Sequence, residues 1–462
     1  MSFFKAYDMR GTFGVDFDLD TVYRVGRALP QTVAARSGAS RSGLRVLVGR
    51  DCRATGAAVR DALVSGLADA GAEVTDLGLA TTPMVYFFTA EDGFDASVMI
   101  TASHNPPQDN GLKVSVRGAL PMGFDTGLAE VERLVAASTD AVPSSPRAVA
   151  VDARYAASAL ERYVDWQLRA ADAASYSGLR YAVDCSNGMA SLLASRLFPG
   201  AVLLNDRPDG AFPCHSPNPL KEEAREQLAR VVREQRLDCG VIFDGDADRA
   251  MFVDETGAFV QPDYLIPVVA EAMRGPADGV RPVVIHDVRT SRGALEALRA
   301  AGFEPRMVPV GHAFAKVKLR EYGALCGGEL AGHYYFRAFH GCDSGVLAAT
   351  RVLSAVARRK AEGTTFSGMM RPIVSRWANS GECNFATEDK DAAIARVLSK
   401  AAGLGEETSR STMDGVRIEY REGWVSMRKS NTEPLLRLLV ECDTEARMRS
   451  WLAELSGAVV SS

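Results

Sequence analysis

Eight cysteines occur among 462 residues, yet no two stand at the spacing C-x-x-C. That excludes a zinc ribbon or a disulfide framework as the organising device of the chain. No apolar run approaches the roughly 20 residues needed to cross a bilayer. The first residues, MSFFKAYDMRG, have neither the long apolar stretch nor the small-residue cleavage site of a secretory leader. A cytoplasmic protein without a membrane partner is therefore expected. Basic residues are not in excess: the net charge is −5 and the pI near 5.8. This excludes a general electrostatic footprint for nucleic acid. Any anionic ligand has to be held by a local cluster of cations. Histidine is scarce too, with six in the chain, so each one is weighed individually.

What is present is a globular composition, 47% hydrophobic and 24% charged. The length predicts roughly three or four domains. Three stretches share one pattern: RVLVGRD from Arg45, LRYAVDCSNG from Leu179 and PVVIHDV from Pro282. Each is a continuous apolar run that ends in Asp or Gly and leads into a helical stretch: VRDALVSGLADAG, ASLLASRLF and RGALEALRAAGF. Such βα units predict three related α/β domains with mixed, largely parallel sheets. The chain beyond Pro372 differs. A helix, KDAAIARVLSKAAG, precedes the strands GVRIEY, GWVSMRKS and LLRLLVEC, and a final helix EARMRSWLAELS follows, predicting a small α+β domain. Linkers are expected at Val142–Pro146, around Asp254–Gly257 and from Gly363 to Gly368. The expected domains are 1–147, 148–256, 257–368 and 369–462.

The strongest chemical signal is VIFDGDADRAMFV, where Asp244, Asp246 and Asp248 alternate in a glycine-containing turn. Three clustered carboxylates suit a hard divalent cation, Mg²⁺ or Ca²⁺. An EF-hand is disfavoured, although Glu255 falls at the twelfth position, because Arg249 occupies the sixth, where that loop needs glycine. Arg249 beside the ligands points to a cation sharing its site with a phosphate. In MRKSNTEP, Arg428, Lys429, Ser430, Asn431 and Thr432 offer the donors of a phosphate-binding loop. In GGELAGH, Glu329 can accept from neighbouring sugar hydroxyls and His333 lies nearby; a structural turn explains that stretch equally well. Arg10, in YDMRG, and His312 with Lys316, in VGHAFAK, could supplement a phosphate pocket. Adjacent Ser103 and His104, in TASHNPP, do not form a hydrolase pair, since no GxSxG elbow accompanies them. A serine that carries a phosphoryl group would instead offer oxygens to the cation of the aspartate loop, with Lys113 close by to assist.

TASHNPPQDNGLKV, DGDADR, GGELAGH and RKSNTEP stand in the order seen in the α-D-phosphohexomutase superfamily, which the whole chain resembles. The resemblance implies three similar α/β domains and a TATA-binding-protein-like C-terminal domain around one cleft. It makes Ser103 the phosphoserine that exchanges its phosphoryl group with the sugar. Asp244, Asp246, Asp248 and the phosphoserine would hold one Mg²⁺. Arg10, His104, Lys113 and Arg249 would line the catalytic end. Substrate contacts would come from Glu329, Ala331, His333, His312, Lys316, Arg289, Arg428, Ser430, Asn431 and Thr432. The sequence GELAGH with YYFR and CDSG is most similar to the phosphomannomutase and phosphomannomutase/phosphoglucomutase branch. Ala331 departs from the serine common there, and Arg289 from the usual lysine. The implied reaction interconverts mannose 6-phosphate and mannose 1-phosphate through a hexose 1,6-bisphosphate, supplying sugar 1-phosphate for nucleotide-sugar synthesis. The alternatives are a phosphoglucomutase, a dual-specificity enzyme and, with less support, a phosphoglucosamine mutase. From other classes, a serine-dependent sugar phosphatase and a non-catalytic phosphosugar-binding protein are weighed against it. The expected partners are small hexose phosphates, and the expected state is a monomer, with a dimer as the alternative.

Overall fold

The computed structural model describes residues 3–38, 42–144, 149–171, 176–275, 280–387, 389–429 and 435–460. Among these residues the strands form four sheets. In the first, Arg45–Arg50 lies parallel to both Glu73–Leu79 and Ala96–Ile100, and Ala96–Ile100 then pairs antiparallel with Asp109–Val116. In the second, Tyr181–Asp184 lies parallel to Val202–Leu204 and Cys239–Phe243, and Cys239–Phe243 pairs antiparallel with Ala250–Asp254. In the third, Val283–Asp287 lies parallel to Glu304–Val308 and Cys326–Gly328, and Cys326–Gly328 pairs antiparallel with Tyr334–Phe336. These are three copies of one mixed topology, with parallel pairing confined to the middle strand of each.

The shared topology decides where the chemistry sits. In every copy the chain leaves the strand beside the middle one and returns antiparallel through one loop. Residues 101–108, 244–249 and 329–333 are those three loops, and they hold Ser103, the aspartates and the Glu329–His333 segment. The three middle strands are those expected from the βα pattern. The helix expected over ASLLASRLF is instead a 3₁₀ turn, Met189–Leu192, and a single α-helical turn, Ala194–Leu197. The segment around Asp254 is no linker but a hairpin within the second sheet, closed by Asp254 Oδ1, which accepts from the Thr256 and Ala258 amides. The expected 368/369 boundary falls inside the helix Phe366–Val374, which packs on the helices Arg292–Ala300 and Gly345–Ala361. We place the third junction after that helix and the second after Val260.

One apolar core runs through the first three domains. The helix Thr82–Glu91 supplies much of the seam, because TPMVYFFT is buried along its whole length. Phe87 there packs on Tyr163, Trp166 and Phe339 from the other two domains. The fourth domain has its own core beneath an antiparallel sheet. It meets the third through Leu330 against Trp424 and Leu439. Arg417 lies on the Trp424 ring and donates to the Val288 and Thr290 carbonyls at 2.7 and 3.0 Å. Among the described residues no helix is long and apolar enough to cross a membrane.

Candidate active site

Residue 103 sits at the bend of its loop in the left-handed region, with φ of 52°. A non-glycine residue there stores roughly 1–3 kcal/mol of strain that the surroundings must hold in place. The surroundings supply several restraints. The Ser103 amide donates to Thr101 Oγ1 at 2.8 Å, and Thr101 Oγ1 donates to Asp51 Oδ2 at 2.6 Å. The Ser103 hydroxyl then donates to Asp244 Oδ2 at 2.9 Å and stands 3.3 Å from His104 Nδ1. Gly245 permits this approach. A Cβ on it would lie 2.6 Å from the Ser103 carbonyl oxygen, so no side chain fits between the two loops.

Asp244, Asp246 and Asp248 are completely buried and offer carboxylate oxygens within 4.8 Å of one another. Lys113 Nζ bridges Asp246 Oδ2 at 2.7 Å and Asp248 Oδ2 at 2.6 Å. Thr82 Oγ1 donates to Asp246 Oδ2 at 2.6 Å. Burial, followed by the charges of Asp248 and Asp246, pushes the Asp244 carboxyl well above its ordinary range. Burial works against charge on Lys113, but the two aspartates outweigh it and hold the ammonium protonated. Asp246 Oδ1 and Asp248 Oδ1 are buried and find no hydrogen-bond partner among the described residues. Lys113 pairs with two of the three carboxylates and Arg249 stands 3.7 Å from the third, and the two orphaned oxygens complete a donor set that a hard divalent cation fits.

Arg249 crosses to the third domain. Its Nε donates to His333 Nε2 at 3.0 Å and lies 3.7 Å from Asp244 Oδ2. His333 Nδ1 faces Asp343 Oδ2 at 2.8 Å, and Lys316 Nζ pairs with Asp343 Oδ1 at 2.8 Å while lying over the Tyr86 ring. Lys316 is wholly buried in this pairing. Arg10 donates to Asp8 and to Asn105 Oδ1, which sets it against the serine loop. Burial, with Arg249 and Arg10 close by, pushes the His104 imidazole well below its usual range. His312 is lowered in the same way by burial and by Lys316. Its ring stands 6.0 Å from that of His333.

Glu329 and Arg428 are joined through Val310, Gly311 and Asp414. Glu329 Oε1 accepts from the Tyr335 hydroxyl at 2.8 Å and the Gly311 amide at 3.3 Å, and burial raises its pKa. Arg289 donates to Asp287 at 2.6 Å and stands 3.4 Å from Glu382 and 4.0 Å from Glu329, so it braces that loop. Ala331, half-buried, lies in the turn between Glu329 and His333. Arg428 Nη2 donates to Asp414 Oδ2 at 2.9 Å, and the same oxygen accepts from the Val310 amide at 2.9 Å. Arg428 Nε and Nη1 are buried without a partner among the described residues. Ser430, Asn431 and Thr432 lie outside the described residues.

Thr82, Asp414 and Arg53, which donates to the Ser103 carbonyl, carry no local sequence signal, whereas Asp343 stands within CDSG. The three strand-terminal aspartates do carry one. Asp184 and Asp287 end their middle strands and Asp51 directly follows its own, and each Oδ1 accepts the amide two residues on, from Ser186, Arg289 and Arg53.

A matching set of family models spans nearly all of this architecture. The phosphoglucomutase/phosphomannomutase alpha/beta/alpha domains I, II and III match residues 1–142, 153–257 and 261–374, and the C-terminal domain of that family matches 382–458. The chain belongs to the α-D-phosphohexomutase superfamily. It is a phosphohexomutase, an isomerase of the phosphomannomutase-like type. A phosphomannomutase of Salmonella typhimurium is 35% identical over 98% of this chain and 98% of its own length. A phosphomannomutase/phosphoglucomutase of Pseudomonas aeruginosa is 34% identical over 97% of this chain and 93% of its own. A crystal structure of a phosphoglucomutase/phosphomannomutase family protein from Burkholderia thailandensis superposes with a TM-score of 0.82 at 29% identity, covering 99% of this chain and 96% of that one. Members of this family act on hexose phosphates, and the buried aspartate triad agrees with a metal site typical of it.

Proposed function

We propose that the protein interconverts mannose 6-phosphate and mannose 1-phosphate through a phosphoserine at Ser103 and a hexose 1,6-bisphosphate. The observation that carries this reading is the Ser103 hydroxyl, 2.9 Å from Asp244, at the edge of a buried carboxylate triad flanked by Lys113 and Arg249. The Oγ–P bond of the phosphoserine breaks as the free sugar oxygen bonds to phosphorus. The proton of that sugar hydroxyl ends on Ser103 Oγ. After the bisphosphate turns round, its other phosphoryl group returns to Ser103 by the same exchange run backwards.

Asp244, Asp246 and Asp248, with a phosphoserine oxygen, would hold Mg²⁺. When bound, the ion would offset charge on the transferring group, where most catalysis of phosphoryl transfer lies. Arg249, oriented by His333, directs its guanidinium towards that group, and Lys113 and Arg10 add positive charge at the same end. His104 Nδ1 orients the serine hydroxyl. Glu329 receives sugar hydroxyls on its free oxygen. Arg428, whose Nε and Nη1 lack partners among the described residues, takes the phosphate that does not react, joined by Ser430, Asn431 and Thr432.

Mannose is favoured by the phosphomannomutase relatives, while the Pseudomonas relative supports a second reading in which glucose phosphates are also turned over. Kinetics on mannose, glucose and glucosamine 1-phosphates, with Mg²⁺ and a 1,6-bisphosphate primer, separate the readings. Mannose 1-phosphate is expected to give the highest kcat/KM. Free phosphate released in step with turnover would replace the mutase by a phosphatase. Full turnover by Ser103→Ala would remove the phosphoserine from the mechanism.

A further inference from the structure

We propose that Arg53 is the positioning residue that sets the reacting oxygen of Ser103. The proposal rests on Ser103 being the phosphoryl carrier, and it concerns how that oxygen is aimed. Arg53 is buried to 1% exposure and uses all five of its guanidinium donors. Nη2 donates to the carbonyls of Ser103 at 2.9 Å and Asn105 at 2.8 Å. Nη1 donates to those of Pro106 at 2.6 Å and Asp109 at 2.8 Å. Nε donates to Asp51 Oδ2 at 3.1 Å, and that carboxylate also takes Thr101 Oγ1, on which the Ser103 amide rests.

The loop's own hydrogen bonds, from the Asn105 amide to the Ala102 carbonyl and from the Asp109 amide to that of Pro106, hold part of this shape. Pro106 and Pro107 bring no N–H, and Ser103 lies in the left-handed region. One planar cation therefore gathers the carbonyls that the bend turns inward. The second domain closes the other side. The Phe212 ring lies 5.2 Å from the guanidinium carbon. Gly210 allows this, because a Cβ there would meet the Cys52 carbonyl at 2.4 Å. The same segment reaches the metal loop, with Phe212 and Pro217 atoms 3.5 Å from where a Cβ on Gly245 would lie. Arg53 thus fixes the serine loop relative to the domain that carries Asp244.

The third domain repeats the construction independently. Asp287 and Arg289 are spaced as Asp51 and Arg53 are, and Arg289 Nε donates to Asp287 Oδ2 at 3.1 Å. Asp287 Oδ2 accepts the Leu330 amide in the sugar-recognition loop, as Asp51 Oδ2 accepts Thr101 in the serine loop. Lysine cannot replace Arg53, since three donors at one point do not span four carbonyls in a plane.

Because Arg53 touches no substrate, its loss should lower kcat and spare KM. Arg53→Lys is expected to reduce kcat about 100-fold, as for a misaimed reacting atom, with KM for the hexose phosphate changed by less than about threefold. Phosphorylation of Ser103 by a hexose 1,6-bisphosphate, followed by intact mass, should slow by the same factor. Native kcat in a folded Arg53→Lys, or a loss shared equally between kcat and 1/KM, overturns the proposal. Should Arg53→Lys not fold, Asp51→Asn decides. It removes the carboxylate charge that orients the Arg53 Nε and takes Thr101 Oγ1, so a kcat about tenfold lower at constant KM supports the proposal, and a native kcat overturns it. Ser103→Ala is run alongside. Turnover in that variant removes the carrier itself, whereas its inactivity beside a fully active Arg53→Lys removes only the role of Arg53.

Discussion

Asp244 is the residue on which both halves of the site depend, since it accepts from Ser103 Oγ and from the Arg249 amide at 3.2 Å. Asp244→Asn keeps the shape and removes one charge. Turnover is expected to fall about 10²–10³-fold, the range for losing one group aimed at developing charge. The rise in Tm on adding Mg²⁺ should shrink with it, because a ligand that favours the folded state stabilises in proportion to its affinity. Lys113→Met tests the opposite charge. Removing one partner of a buried ion pair costs about 3–5 kcal/mol. The variant should therefore melt well below the parent without Mg²⁺ and recover much of the difference with it; equal loss in both conditions would mean that Lys113 and the ion do not share the carboxylates. Ser103 and the three aspartates were legible because each group is contiguous in sequence. Arg53 was not, because the carbonyls that it gathers are some 50 residues away.

Among the elements, the segment 205–218 of the second domain carries a histidine whose charge is tied to the fold. His215 Nε2 faces Asp184 Oδ2 at 3.1 Å, and its Nδ1 lies 2.8 Å from the Ser216 carbonyl. Burial opposes charge on this imidazole, but the hydrogen bond and charge of Asp184, with the Ser216 carbonyl, prevail and raise its pKa. A raised histidine contributes stability that is complete below its unfolded value, near 6.5, and is lost as pH rises through the folded value. His215→Gln should therefore lower Tm most at pH 5–6, and the gap from the parent should narrow as the pH passes above 7. A gap independent of pH would show that the imidazole is not charged in the fold. Apolar runs made the middle strands and the last two helices readable. The short edge strands Ala378–Asn379, Cys383–Ala386 and Glu407–Ser411 were missed, because they are polar or only two to five residues long, and the first two exist through pairing with the distant Leu435–Cys442.

At the scale of the whole molecule, three domains share a core and the fourth is attached through arginines. Arg417→Ala should loosen that attachment, since it leaves two buried carbonyls unsatisfied at about 1–3 kcal/mol each. Limited proteolysis is expected to cut the variant near residues 375–382 faster than the parent, with Tm lowered; an unchanged digestion pattern would count against the arginine as the anchor. Three similar domains could be read from three similar strands. Their packing against one another could not, because it depends on buried contacts such as Phe87 with Phe339 that join residues 252 positions apart.

The threefold topology also has a consequence for how such enzymes diversify. Each sheet builds its loop on the same scaffold, and in the proposed mechanism each loop has a single duty, whether carrying phosphate, binding the cation or reading the sugar. A change of substrate then needs new residues only in 329–333 and in the fourth domain, leaving the first two loops as they stand. Specificity can thus drift while the phosphoryl-transfer chemistry stays fixed.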